Sequence, residues 1–394
     1  MRDPRHVLGL GPADWNALLD CAGRHALLGR LAVVVEDAGL LAELPQVAQD
    51  LLADSAAMTR ANQTMQRYEA NRVQHALRGM DIPVVLLKGG AYLMAGLPPS
   101  RGRLSGDLDI LVPRERIEQV EQALLAQGWQ SPVMDAYDQR YYREWSHQIP
   151  PLRHVERKSE LDVHHTIAPP TGRAGPDTQA ILRDARPLTD GGLRVLCPPD
   201  MVLHSAVHLF NEQMTMALRD LIDMHDLLSH FGGDEAFWPE LANHAAKHNL
   251  QGPLYYCTRY CRRFLGTSIP AGTLGQIEAF APNPLARRVM DWLVAATLVH
   301  EHPDRQSPGA RFARWLLFVR SHWLRMPPAM LIRHILVKTF RRARPDPSPN
   351  PCRNLDAGNR RNGQSRQGKS DQIRHQVRDR AAAANHKQLQ TFRG

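Results

Sequence analysis

The run DLDILV at residues 107–112 is the tightest constraint on what this chain can fold into. Read with a period of two, it puts Leu108, Ile110 and Val112 on one face of a strand and Asp107 with Asp109 on the other, because side chains alternate across an extended backbone. The apolar face needs a core. The acidic face holds two like charges close together, which repel unless a cation lies between them; a merely solvated strand face is better served by Lys or Thr.

Around this strand the hydrophobic period changes twice. From about Asp14 to Arg78 apolar residues recur at helical spacing, as in DWNALLDCAGRHALLGRLAVVV, and Gly79 suits a helix end. DIPVVLLKGG then reads as a short buried strand closed by Gly89 and Gly90, with AYLMAGL a brief helix, RERIEQVEQALLAQGW a longer one ending at Gly128, DAYDQRYYREWSHQI a loop, and SELDVHHTI a further strand carrying Asp162. From CPPDMVLHSAVHLF to about Phe340 the pattern is helical again. The expected class is α+β: N-terminal helices over 1–79, a small mixed sheet with its helices over 80–200, a helical domain over 201–340, and a tail over 341–394. That tail is rich in Pro, Asn, Gln and Arg, and is expected to be disordered because it cannot bury enough apolar area to offset the entropy of ordering.

The tail also carries the charge. Arg341 to Gly394 holds thirteen Lys and Arg against four Asp and Glu, equal to the whole-chain excess of +9, so the first 340 residues are formally neutral. A nucleic-acid field over the folded part is therefore not expected, and the basic C-terminal region is left weak nonspecific anion or membrane-surface contact. The five cysteines are scattered, with only Cys257 and Cys261 close together; they read as buried thiols in a reducing compartment rather than a disulfide framework or a zinc pair. No apolar run has the length of a membrane span, and the opening MRDPRHVLGLGPADW lacks a signal-like apolar stretch, so the expected location is cytoplasmic.

Three features fit one chemistry: the glycine turn at Gly89 and Gly90, the pair Asp107 and Asp109, and Asp162 on a later strand. A glycine turn entering a helix lets backbone N–H groups approach a phosphate chain. Carboxylates on two neighbouring strands can hold two Mg²⁺ ions, the arrangement for moving a nucleotidyl group from an NTP with pyrophosphate leaving. The segments VVLLKGGAYL, RLSGDLDILV and ELDVHHTI, followed by VLCPPDMVLHSAVHLF and LRDLIDMHDLL, resemble a bacterial uncharacterised nucleotidyltransferase family of the polymerase-β-like nucleotidyltransferase superfamily, whose members read like LKG followed by R..SDIDLLV.

That resemblance implies that Asp107, Asp109 and Asp162 are metal ligands, that Asp162 helps activate the acceptor hydroxyl, and that Gly89 and Gly90 face the β and γ phosphates. The chain departs from the wider superfamily in having Gly-Gly where many relatives have Gly-Ser, and in a longer loop, GLPPSRGRLSG, before Asp107. Lys88 and Arg103 flank the site and are expected to replace the lost hydroxyl with charge, Arg103 on phosphate, whereas Arg101 reads as a surface or salt-bridge residue. His164 and His165 are expected to make structural hydrogen bonds, His204 and His208 to pack or cap their helix, and Asp223 to meet an arginine near the site, line the cleft, or form an ordinary salt bridge.

The expected activity is metal-dependent transfer of a nucleoside monophosphate from an NTP, with ATP the favoured donor, to a hydroxyl acceptor. A small molecule or a protein is favoured over RNA as that acceptor. Two rival readings stay open: an inactive nucleotide- or partner-binding protein on the same fold, and a peripheral membrane or nucleic-acid adaptor working through the basic C-terminus. The oligomeric state is not legible.

Overall fold

The first change of period marks the passage from helix to sheet. In a computed structural model, which describes residues 3–188, 192–299 and 307–333, three helices come first: α1 (Pro12–Arg24), α2 (Leu28–Asp37) and the long α3 (Gln46–Ala76). The core follows as β1 (Val84–Leu87), α4 (Lys88–Met94), β2 (Asp107–Leu111), α5 (Ile117–Leu125), β3 (Trp129–Gln130), α6 (Ala136–Arg140), β4 (Leu152–His154), β5 (Glu160–His164), α7 (Thr178–Asp184), β6 (Arg186–Pro187) and β7 (Leu193–Val195). The remainder is helical: α8 (Pro198–Asn211), α9 (Ala217–Phe231), α10 (Phe237–Lys247), α11 (Gln251–Tyr260), α12 (Ala271–Glu278), α13 (Pro284–Thr297) and α14 (Pro308–Arg325). This is an α+β protein. No helix among the described residues is long and apolar enough to cross a membrane, and the tail expected over 341–394 lies outside the described residues.

The strands form one seven-stranded mixed sheet in the order β3-β4-β5-β2-β1-β7-β6. Strand β1 runs antiparallel to β2 and parallel to β7, and β2 runs parallel to β5. The middle strands are therefore enclosed. Val84 to Leu87 and Leu108 to Val112 are buried throughout, including Asp109, so the acidic face of the DLDILV strand is covered from Asp109 onward and only Asp107 is exposed. Burial on both faces is what a central, parallel-paired strand flanked by helices requires.

Two apolar clusters support the architecture. One is confined to the N-terminal helices, from Val7 to Ala56 and including Trp15, Val35 and Leu52. The larger one runs from the end of α3 through the sheet and into α8, α9, α11 and α14 without a break. Cys257 and Cys261 lie within it as free, fully buried thiols, as their helical spacing implied. The described residues within 3–155 and 159–331 make one compact unit; the other has as its described residues Glu156–Lys158, where Lys158 takes a left-handed backbone at φ +60°, and 332–333.

Candidate active site

Register places the acids. In the parallel ladder between β2 and β5, Asp109 lies directly beside Asp162, and Asp107 beside Glu160. Strand alternation then puts Asp107, Asp109 and Asp162 on one face of the sheet, with His164 at the end of the same face. Ligand atoms of Asp109, Asp162 and His164 all lie within 4.8 Å of one another, while Asp107 stands exposed at the start of β2.

A basic residue reaches into this group from the next strand. Lys88 follows β1 directly and adopts a left-handed backbone, φ +45°, an unusual conformation for a residue with a Cβ. Its Nζ lies 3.2 Å from Asp109 Oδ1, and His164 Nε2 lies 2.9 Å from the same oxygen. Burial acts to raise the Asp109 carboxyl pKa, but Lys88 and the His164 hydrogen bond outweigh it and hold the group well below the usual carboxylate range. For Lys88 burial acts downward and is likewise outweighed by Asp109, Glu212 and Asp107, so the ammonium form is favoured. Asp162 goes the other way: burial, then the charge of Asp109, push it up to about 6. Two adjacent carboxylates thus have opposite proton affinities, one fixed as an anion and one titrating near neutrality.

The glycines serve close packing. Gly89 and Gly90 lie inside the first turn of α4 rather than in a turn preceding it, because the left-handed residue is Lys88. A Cβ on Gly89 would stand 2.3 Å from Ser105 Oγ and 2.5 Å from Arg103 Nη1, and one on Gly90 would stand 2.7 Å from Leu108 Cδ1. Only glycine lets α4 approach the residues leading into β2 this closely.

Arg103 has partners other than the phosphate expected for it. Its Nε donates to Asp223 Oδ2 at 2.8 Å and its Nη1 to Ser105 Oγ at 2.8 Å, with the guanidinium 5.8 Å from the Tyr92 ring centroid. Asp223, on α9, is the arginine partner that the sequence suggested, and it also lies 3.9 Å from Arg30 on α2. Arg101 pairs on the surface with Asp37. His165 Nδ1 lies 3.3 Å from Arg114 Nη1.

Residues 11–266 match the family model described as "Uncharacterised nucleotidyltransferase". The chain belongs to this nucleotidyltransferase family. No curated protein matches it.

Beside the acids, this nucleotidyltransferase has a narrow pocket of about 10 Å³ bordered by Lys88, His147, His204, His208, Glu212 and Arg325. Both α8 histidines face it, and His208 Nδ1 lies 3.4 Å from Glu212 Oε2. Burial acts to raise Glu212, and His208 more than reverses that, so the carboxylate stays ionised. Burial and the nearby positive charges push His147 and His204 well below the ordinary histidine range, leaving them neutral. His147 and Glu212 escaped the sequence reading. Neither sits in a motif, and only the folded chain brings them next to Lys88.

Proposed function

We propose that this nucleotidyltransferase moves a nucleoside monophosphate from an NTP, with ATP as the favoured donor, to a hydroxyl acceptor, releasing pyrophosphate. The observation that carries the reading is the pairing of Asp109 with Asp162 across the parallel β2–β5 ladder, with Asp107 one pleat away on the same face. The residues fit a magnesium site. Their oxygens are the hard donors that Mg²⁺ selects, and Lys88 Nζ and His164 Nε2 both meet the same Asp109 oxygen, Oδ1. Asp107, Asp109 and Asp162 would hold two Mg²⁺ ions, which when bound lower the pKa of an attacking hydroxyl and neutralise charge on the leaving phosphate oxygens.

The chain's own groups do the rest. His164 and Lys88 orient the Asp109 carboxylate, so that it enters the reaction as an ordered anion. Asp162, whose carboxyl in the metal-free chain is pushed up to about 6, is the group placed to accept the proton of the acceptor hydroxyl. The backbone N–H groups of Gly89 and Gly90, in the first turn of α4, have no partner within the helix and serve the phosphate chain. Lys88 adds its ammonium on the same side. Arg103 acts instead as a buried strut between the loop entering β2 and α9. His147, His208 and Glu212 border the acids on the acceptor side, and the formal neutrality of the first 340 residues favours a small hydroxylated molecule or a protein side chain over an RNA end.

The test is calorimetric titration of the full chain with a panel of NTPs in Mg²⁺, beside an Asp107→Ala, Asp109→Ala variant, followed by transfer of labelled nucleotide to candidate acceptors. Metal-dependent binding that the variant loses supports the reading. Metal-independent binding that the variant keeps points to a nucleotide-binding protein that does no transfer, and absence of binding with Mg²⁺ or Mn²⁺ overturns the proposal.

A further inference from the structure

A second group of metal-binding side chains lies at the far end of α8 from the acidic cleft. Cys197 is the residue before α8, Asp200 lies in its first turn, and His244 and His248 end α10 one helical turn apart. In sequence this is C-x₂-D followed by H-x₃-H, the spacing of a Cys₂His₂ zinc site with aspartate in place of the second cysteine. The fold brings the two halves together. Cys197 Sγ lies 3.2 Å from Asp200 Oδ2, His244 Nδ1 2.7 Å from Asp200 Oδ1, and His248 Nε2 3.5 Å from that same oxygen. The ligand atoms of Cys197, Asp200 and His244 all lie within 4.8 Å of one another.

An ordinary helix cap explains only part of this. Asp200 in the first turn of α8, hydrogen-bonded to His244, would be a complete local arrangement. It gives no reason for His248, which is 0% exposed and has no hydrogen bond at either ring nitrogen. Leaving a buried polar group unsatisfied is costly, and here its Nε2 lies 3.5 Å from the carboxylate that the other two groups share. Donors bonded to one tetrahedral zinc at about 2.0–2.3 Å lie roughly 3.3–3.7 Å apart; Cys197 and His248 stand near that distance from Asp200, and the 2.7 Å His244–Asp200 hydrogen bond would open to admit the ion. A cavity of about 510 Å³, lined by Cys197, His244, Arg186, Glu240 and Lys247, opens onto the group and offers a path for an ion.

We propose that Cys197, Asp200 and His244 bind a zinc ion, with His248 closing the coordination, and that the ion pins the start of α8 to the end of α10. The donor set selects the metal: one thiolate with imidazoles and a single carboxylate favours Zn²⁺ over Mg²⁺ or Ca²⁺. The site is independent of the magnesium-binding acids proposed above, and its role is structural. It fixes the helix whose other end carries His204 and His208.

The experiment uses the full chain, stripped of metal with a chelator and titrated with Co²⁺ and then with Zn²⁺. A near-ultraviolet thiolate-to-cobalt absorption that Zn²⁺ displaces is expected. Cys197→Ser should abolish that band, whereas Cys257→Ser and Cys261→Ser should leave it unchanged. His244→Ala and His248→Ala should each weaken Zn²⁺ binding at least about tenfold, and the Asp107→Ala, Asp109→Ala variant should keep the band, which separates this site from the acidic cleft. No thiolate band in the native chain, or one that survives Cys197→Ser, overturns the proposal. Circular dichroism of each stripped variant identifies any that fail to fold, and for those the milder His248→Gln decides by the same affinity criterion.

Discussion

Replacing Lys88 by Met tests the electrostatics of the cleft most directly. The substitution keeps an unbranched apolar stem out to Cε and the left-handed backbone cost, and removes the ammonium. Its Nζ is 3.2 Å from Asp109 Oδ1, with the side chains 16% and 5% exposed. At an effective dielectric of about 20 the Coulomb attraction at that distance is about 5 kcal/mol. Stripping one partner from a buried pair costs roughly 3–5 kcal/mol because the remaining charge is left uncompensated. His164 still donates to the same oxygen, which places the expected loss near the lower bound. At about 2 °C per kcal/mol, the low end for larger domains, the midpoint of thermal unfolding in a chelating buffer should fall by about 5 °C or more. Adding Mg²⁺ should recover more of the midpoint in the variant than it adds to the native chain, since a divalent ion next to Asp109 replaces the missing charge. A midpoint unchanged in chelator, or an equal Mg²⁺ response in the two proteins, would refute the assignment of Lys88 as the counter-charge of a buried carboxylate.

Asp162 makes the metal-free chain pH-dependent in a defined direction: its folded pKa of about 6 lies above the unfolded value of about 3.9, so its contribution to stability should rise as pH falls from about 7 towards 4. Metal-dependent nucleotide binding should weaken over the same interval because the proton competes with the cation; calorimetry across pH checks this, and Asp162→Asn should remove the stability trend. Gly89→Ala forces a Cβ to 2.3 Å from Ser105 Oγ and should cost about 1–3 kcal/mol by overpacking, while Gly275→Ala, exposed in α12 with nothing within 4 Å, should stabilise by up to about 1 kcal/mol; parallel thermal melts compare the two. Arg103→Ala and Asp223→Ala should each cost about 3–5 kcal/mol and the double variant clearly less than their sum, since the bond between them is buried and 2.8 Å long; strictly additive melting shifts would show that the two side chains do not act as a pair.

What the sequence made legible followed its periodicity. Strands β1, β2 and β5 carry enough consecutive apolar or alternating residues to be read as strands, and the register between β2 and β5 turns that reading into a site. Strands β3, β4, β6 and β7 are two or three residues long, too short for alternation to be visible. The segment read as a loop around residue 140 contains α6 and a wider helical turn at Tyr141–Trp145, closed by the Ser146 N–H on the Tyr141 carbonyl. Its apolar residues are aromatic and packed on one another, so they leave no clean helical stripe. Arg103 shows a different limit. Composition near a glycine turn suggests an anion, and only the tertiary fold reveals that Asp223, on a helix far along the chain, is one of its partners.

The side-by-side placement of Asp109 and Asp162 comes from strand register, and this divides the chain by its tolerance of length change. The excursion from Val112 to Ser159 supplies only the outer strands β3 and β4 of the sheet, so residues gained or lost in its loops leave the two carboxylates where they are. A single residue inserted between Glu160 and Asp162 would turn the acid to the opposite face and bring an apolar side chain into the cleft. Distance along the sequence between the two acids is therefore free to drift among related chains, while the few residues on either side of each acid are not.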